Sequence, residues 1–353
     1  METKHSIYFK NSTEQPSNFE HGTVDLVVTS PPYPMIEMWD KLFTENSSYL
    51  IKDNLVKDPR YALREMHLML DRVWSNCFRL LKDGGFMCIN IGDATRTLNG
   101  EFGLYDNHSH ISTYCESIVG FRQLPCIIWH KPTNSPNKFM GSGMLPCGAY
   151  VTMEHEYILI FRKGGKREFK TEQEKQLRRE SAFFWEERNI WFSDTWDIRG
   201  VRQAINGKTD KERTRNASYP LEIPYRLINM FSQKGDTVFD PFVGLGTTTK
   251  AAMITGRNSI GYDIDSTLKP FIESFIDKDN LDSFNEVTRK RWQRHIDFVH
   301  ERENKLKKQV KYFNETLGCK VMTKQEQSIK LDYVKNIKPL FVGNIGWKVE
   351  YHE

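Results

Sequence analysis

The segment GDTVFDPFVGLGTTTKAAMITGRNSIGYD, residues 235–263, restricts the fold more than any other stretch of the chain. A short apolar strand pattern runs into a glycine loop, the loop opens a helix, and a second strand pattern ends on Asp263. Two strands joined through a helix lie parallel, so the chain has to build an α/β sheet around this unit. Gly244 and Gly246 sit where backbone can approach a ligand closely. Asp263 follows Gly244 by 19 residues and Gly246 by 17, and a carboxylate there can accept both hydrogens of a ribose diol.

Two departures from the dinucleotide pattern redirect the reading. Thr249 stands where a third glycine is usual, and Asp240 ends the first strand, where a pyrophosphate would be repelled. Such a site suits a cationic ligand, as the ammonium and sulfonium of S-adenosylmethionine are.

A second stretch carries chemistry. VDLVVTS, residues 24–30, is a β-branched run read as a buried parallel strand, and it runs straight into Pro31-Pro32-Tyr33. Proline fixes φ and removes the backbone donor, so carbonyls here project as acceptors with no competing N–H. Ser30 adds a hydroxyl and Tyr33 a flat face. An aromatic exocyclic amine is a poor nucleophile, because its lone pair is conjugated with the ring. Hydrogen bonds from both amine hydrogens, to Ser30 and to the carbonyl of Pro31, favour a pyramidal nitrogen whose lone pair points at an electrophilic methyl.

TSPPY at 29–33 and DPFVGLGTTT at 240–249 resemble the two signature motifs of the amino-methylating DNA methyltransferases. The catalytic motif comes first, the circularly permuted order of that family's β class. The resemblance covers most of residues 5–265 and includes LLKDGGFMCINIGD, IIWHKP, HEYILIFRK and YPLEIPYRLINMFSQKGD. It implies a Rossmann-like fold with a seven-stranded sheet, S-adenosyl-L-methionine as cofactor, double-stranded DNA as partner and a target base swung out of the duplex. Carried over by position, Ser30, Pro31, Pro32 and Tyr33 form the catalytic loop. Asp240, Phe242, Gly244 and Gly246 contact the methionine part, with Thr247 in the same cofactor set, and Asp263 takes the ribose. Asn11-Ser12 stand where the family often has an Asp near the adenine, and Asn216-Ala217-Ser218-Tyr219-Pro220 where it usually has His before Pro-Ala. Ser-Pro-Pro-Tyr accompanies N(4)-methylcytosine more often than N(6)-methyladenine, so the resemblance implies a cytosine-N(4) enzyme. Adenine-N(6) is the alternative, and a silent nucleic-acid-binding module with this fold the reading from another class. A restriction–modification setting would add a cognate endonuclease as functional partner.

The rest of the chain gives boundaries. Residues 1–163 read as the catalytic half, 164–216 as a charged, irregular insertion serving as target-recognition region, and 217–265 as the cofactor half. Residues 266–353 read as a helical, basic extension. Asp58-Pro59 opens a helix that Asp83-Gly84-Gly85 stops. Further strands are expected at 86–93, 124–131 and 155–163. Three regions offer DNA contacts: 34–57 with Met38, Trp39 and Phe43; 131–150 with Lys131, Asn134, Asn137 and Lys138; and the insertion. The insertion interleaves Lys166, Arg167, Lys170, Arg178, Arg179, Arg199, Arg202, Arg213 and Arg215 with Trp185, Trp191 and Trp196.

A net charge of +4 does not by itself name a polyanionic partner. The six cysteines form no CxxC pair, and no His/Asp/Cys cluster suggests a metal. Cysteine after proline, as carbon-5 cytosine methylation uses, occurs at Cys126 and Cys147, neither at a strand end in the needed order. No run approaches the ~18 apolar residues of a membrane span, and METKHSIYFKNSTEQPSNFE lacks a signal peptide's apolar core, so a cytoplasmic protein is expected. Oligomeric state is left open.

Overall fold

The computed structural model describes residues 1–14, 19–46, 50–131, 140–141, 143–200, 219–276, 279–307 and 309–352. One mixed sheet of 10 strands runs through it. Its strands are β1 Glu2–Phe9, β2 Val24–Thr29, β3 Leu81–Ile91, β4 Arg122–His130, β5 His155–Arg162, β6 Thr195–Asp197, β7 Thr237–Asp240, β8 Asn258–Asp263, β9 Val334–Pro339 and β10 Ile345–Tyr351. They lie in the order β6-β4-β5-β3-β2-β7-β8-β1-β10-β9. The helices that matter below are α1 Asp40–Glu45, α2 Pro59–Leu80, α3 Glu172–Glu180, α4 Trp185–Trp191, α5 Glu222–Phe231, α6 Thr247–Ile254 and α7 Asp282–Leu306.

Strands β3, β2, β7, β8 and β1 are mutually parallel, and β5 enters antiparallel between β3 and β4. Alternation along β2 splits its side chains between two cores. Leu26 and Val28 join Val238, Ile228, Ala251 and Phe284 on one face; Val27 joins Leu63, Met66, Leu70, Trp74 and Phe239 on the other. All six residues of β2 are buried, as expected of a strand covered on both faces. Helix α2 begins where Asp58-Pro59 signals it, with the Asp58 carboxylate accepting from the Tyr61 N–H at 3.0 Å. It stops at Leu80, before the glycines, and β3 starts at once.

Two expectations need correction. The stretch 164–200 is not a surface insertion: β6 pairs parallel with β4, and Phe184, Trp191 and Trp196 are buried at 0%, 4% and 1% exposure. Trp191 and Trp196 pack into the main core, and Phe184 into a smaller cluster with Cys319, Val321 and Ile329. Nor are residues 266–353 simply helical. After α7 the chain makes a hairpin, Tyr312–Asn314 with Cys319–Val321, and then strands β9 and β10. Strand β10 pairs antiparallel with β1, His5 opposite Trp347 and Ile7 opposite Ile345, so the far end of the chain completes the sheet.

Candidate functional site

The chain leaves β2 toward β3 on one side of the sheet, while β7 leads to β8 on the other. Between β2 and β7 the winding reverses, and the crevice beyond their carboxyl ends is where an open α/β sheet binds ligands. Both sequence signatures end there. Val238 and Phe239 pair with Leu26 and Val27, which brings Thr29 and Asp240 together at the two strand tips.

Asp240 is built into this junction. Its Oδ1 accepts from the Thr29 hydroxyl at 2.7 Å and the Phe242 N–H at 3.0 Å; its Oδ2 accepts from the Thr248 hydroxyl at 2.6 Å. The Thr248 and Tyr219 hydroxyls are in turn hydrogen-bonded. Burial pushes the Asp240 carboxyl up to about 6, against the hydrogen bonds from Thr248, Thr29 and the Phe242 amide. The carboxylate thus ties the residue before Ser30 to the first turn of α6.

The glycine loop is held by the other acid. Gly244 adopts φ +55° and donates its N–H to Asp263 Oδ2 at 2.8 Å, while Asp263 Oδ1 accepts from the Asp265 N–H at 2.9 Å. A Cβ at Gly244 would meet nothing within 4 Å, so the loop there faces open space. Gly246, φ +84°, lies behind it: a Cβ would sit 3.4 Å from Ile276 and 3.5 Å from Ile272. Gly246 therefore packs the loop and caps α6 rather than facing the cavity.

A single cavity is lined by Asp240, Phe242, Gly244, Thr247 and Asp263 together with Ser30 and Pro32. Its walls continue through Asn11, Ser12 and Thr13 after β1, and through Trp39, Leu42, Phe43 and Asn46 on and beside α1. Ser12 donates to the Pro241 carbonyl at 2.5 Å, fixing the strand-end loop against the cofactor loop. Trp39 and Phe43, expected to border the catalytic stub, do line the cavity; Asn46 was not anticipated. Asp40, at the start of α1, makes a bidentate pair with Arg96 at 3.0 and 2.7 Å, which holds that wall in place.

Pro31 is buried and lines no part of the cavity. Tyr33 stands behind Ser30, its ring against Gly92 and its hydroxyl in a polar group of Asn90 and Glu156 that sequence reasoning missed. The only signals were an asparagine inside the apolar strand FMCINIGD and a glutamate opening HEYILIF.

Among the described residues, the lining carries Asp240 and Asp263 and no lysine, arginine or histidine. That charge pattern fits a sulfonium and an ammonium and disfavours a free phosphate. Phe242, Leu245, Ile264 and Leu268 give the cavity apolar walls, as a nucleoside needs.

Several basic residues expected at DNA are engaged in structure. Arg167 holds Asp236 at 2.6 and 3.0 Å, Arg178 stacks over Phe169, and Lys131 pairs with Glu156. Trp185 stacks on Phe298, and Trp191 and Trp196 belong to the core. Lys166, Lys170 and Arg199 are exposed. Asn134, Asn137, Lys138, Arg202, Arg213, Arg215 and residues 216–218 lie outside the described residues.

Comparison with known proteins agrees with this geometry. The profile of the DNA methylase family for N6 and N4 enzymes matches residues 24–274. A type II methyltransferase of Methanothermobacter thermautotrophicus, M.MthZI, is 50% identical over 96% of this chain and 93% of its own. M.MjaI of Methanocaldococcus jannaschii is also 50% identical, over 78% of this chain and 91% of its own. Among solved structures, a protein of Thermus thermophilus described as a putative DNA modification methylase, complexed with S-adenosyl-L-methionine, aligns with a TM-score of 0.57. It is 31% identical and covers 76% of this chain and 93% of its own. The PvuII cytosine-N4-specific DNA methyltransferase shares the fold, with a TM-score of 0.56 at 18% identity over 76% of this chain and 86% of its own. The chain belongs to the N6/N4 DNA methylase family and is a type II DNA methyltransferase that uses S-adenosyl-L-methionine.

Proposed function

We propose that this enzyme methylates the exocyclic N4 of cytosine in duplex DNA, with the target base flipped into the cavity. The carrying observation is Ser30, the first residue of the Pro-Pro-Tyr stub, placed on the wall of the cavity that Asp240, Gly244 and Asp263 share. Serine at this position goes mostly with cytosine enzymes among the proteins its motif resembles. A neutral hydroxyl there accepts one amine hydrogen. The nitrogen lone pair is then freed from the ring and directed at the methyl group, an in-line transfer that positioning alone accelerates.

Within this reading Asp263 takes the ribose diol of the cofactor, and Asp240 and the Gly244 backbone border its charged methionine end. Flipping the base costs a few kcal/mol, offset by contacts to the DNA backbone. Residues 164–216 are assigned as the target-recognition region, the exposed Lys166, Lys170 and Arg199 supplying affinity rather than sequence choice. A covalent route through cysteine finds no support. Cys126 lies within β4, Cys147 is exposed, and neither lines the cavity. A cognate restriction endonuclease is the expected functional partner, and the cytoplasm the expected compartment.

Nucleoside mass spectrometry on DNA treated with the purified enzyme decides the base. N(4)-methylcytosine is expected; N(6)-methyladenine would replace the cytosine assignment with the adenine one. Ser30→Ala should lose methyl transfer by roughly 10²-fold while keeping cofactor affinity.

A further inference from the structure

Methyl transfer to an amine leaves the nitrogen positively charged with one proton too many. That proton needs an acceptor before a neutral methylamino base can leave. Among the described residues the cavity lining offers no histidine, and both Asp240 oxygens already accept threonine hydroxyls. Asp263 lies across the glycine loop, bonded to the Gly244 and Asp265 amides. On the Ser30 side, by contrast, a continuous hydrogen-bonded chain leads away from the cavity. Ser30 Oγ is 3.2 Å from the Tyr33 hydroxyl, and that hydroxyl donates to Glu156 Oε2 at 2.8 Å. With Tyr33 donating to Glu156, Ser30 is the donor to Tyr33, so every proton points away from the amine.

The chain is held in place by the groups around it. Asn90 Nδ2 lies 2.8 Å from the Tyr33 hydroxyl and 2.7 Å from Glu156 Oε2. Lys131 Nζ donates to Glu156 Oε1 and offsets its charge. Gly92 leaves room for both groups: a Cβ there would stand 3.0 Å from the Tyr33 ring and 3.2 Å from Glu156 Cγ. The Glu156 side chain is 13% exposed and that of Lys131 36%, so a route to solvent opens on the far side. Burial and the Glu156 charge hold the Tyr33 phenol well above its ordinary value, making it a conduit rather than an anion.

We propose that Glu156 is the terminal acceptor of the amine proton, reached through Ser30 and Tyr33. As the methylated nitrogen gives its proton to Ser30 Oγ, the Ser30 proton passes to the Tyr33 oxygen and the Tyr33 proton to Glu156. Both hydroxyls end intact, the base leaves neutral, and the protonated Glu156 discharges to solvent beside Lys131. Other titratable or charged groups on the surrounding elements are His130, paired with Asp197 and Glu154, His155 on β5, and Asp93, which binds His108. The proposal rests on Ser30 facing the amine and holds for either base.

Single-turnover transfer from labelled S-adenosylmethionine to unmethylated bacteriophage genomic DNA, followed against pH, tests it. Glu156→Gln keeps a hydrogen-bond acceptor for Tyr33, and should keep the melting temperature and the calorimetric cofactor affinity. Its rate should fall roughly 10²-fold, and with S-adenosylmethionine saturating at every pH, which removes the contribution of Asp240 to binding, the decline of rate toward acid pH should vanish. Glu156→Asp, a carboxylate of shorter reach, should restore part of the rate together with that acid decline. A Glu156→Gln enzyme with wild-type rate and pH profile, alongside a crippled Ser30→Ala, overturns the relay and leaves the placement of Ser30 standing. An unimpaired Ser30→Ala overturns both.

Discussion

Asp240 does two things: it clamps Thr29 to α6 and borders the cofactor cavity. Burial raises its pKa to about 6, so at neutral pH folding holds an ionised group that would rather be neutral. In the free protein its contribution to stability therefore grows as pH falls from about 6 toward the ordinary carboxylate value of 3.8. A bound sulfonium and ammonium favour the ionised form instead. Cofactor binding near pH 6 should accordingly release protons, and affinity should weaken as pH falls through that value. Calorimetry in buffers of different ionisation enthalpy reads the proton count, and Asp240→Asn should abolish the release. Gly92 makes the complementary case for shape. Gly92→Ala must displace the Tyr33 ring or Glu156, so methyl transfer should fall by roughly 10²-fold with cofactor binding intact. Unchanged transfer would mean that the stub tolerates a shifted Tyr33.

At the scale of elements, helix α7 is joined to α4 by two buried ionic contacts. Arg291 grips Glu187 at 2.7 and 2.8 Å, with 9% and 12% of the two side chains exposed. His295 bonds Glu186 at 2.7 Å, donates to the Lys320 carbonyl through its other nitrogen at 2.9 Å, and stacks on Phe184. Removing one partner strands the other charge, so Arg291→Ala should cost about 3–5 kcal/mol in denaturant unfolding. For His295, burial lowers the pKa, but contacts with Cys319, Glu186 and the Lys320 carbonyl outweigh it and raise the value to about 10. A value raised above the unfolded 6.5 means stabilisation that is complete below 6.5 and is lost as pH climbs through 10. The gap in melting temperature between wild type and His295→Gln should thus narrow between pH 7 and pH 10. A constant gap would show that packing against Phe184, not charge, is what His295 contributes.

For the whole molecule, the C-terminal strands decide whether the sheet is closed on that side. Strand β10 covers β1, with Ile345, Trp347, Val349 and Tyr351 turned into the core. Deleting residues 307–353 would bare the β1 edge and that apolar face, and the product should aggregate or melt well below the intact chain. A soluble truncation with unchanged melting temperature would make the strands an ornament of the fold.

How much of this was legible follows from the range of the interactions. Asp58-Pro59 starts α2 because capping is a matter of three residues, and Asp263 comes to hold the glycine loop because the unit is contiguous. IGWKVEY alternates as a strand should, yet behind a long basic helix nothing local says that it will pair with Glu2–Phe9, at the other end of the chain. Phe184, Trp191 and Trp196 looked like part of a charged insertion because their neighbours are charged, and only packing shows which faces turn inward.

By itself the order of residues determined the two loop chemistries, a stiff acceptor stub and a glycine turn with flanking acids, since each arises from backbone geometry within a few residues. Tertiary structure alone decided that β2 and β7 are neighbours, that Thr29 therefore meets Asp240, and that Glu156 reaches Tyr33 across 123 residues. Strand pairing and burial are collective, set by which surfaces the whole chain can cover at once, and no single stretch carries that information.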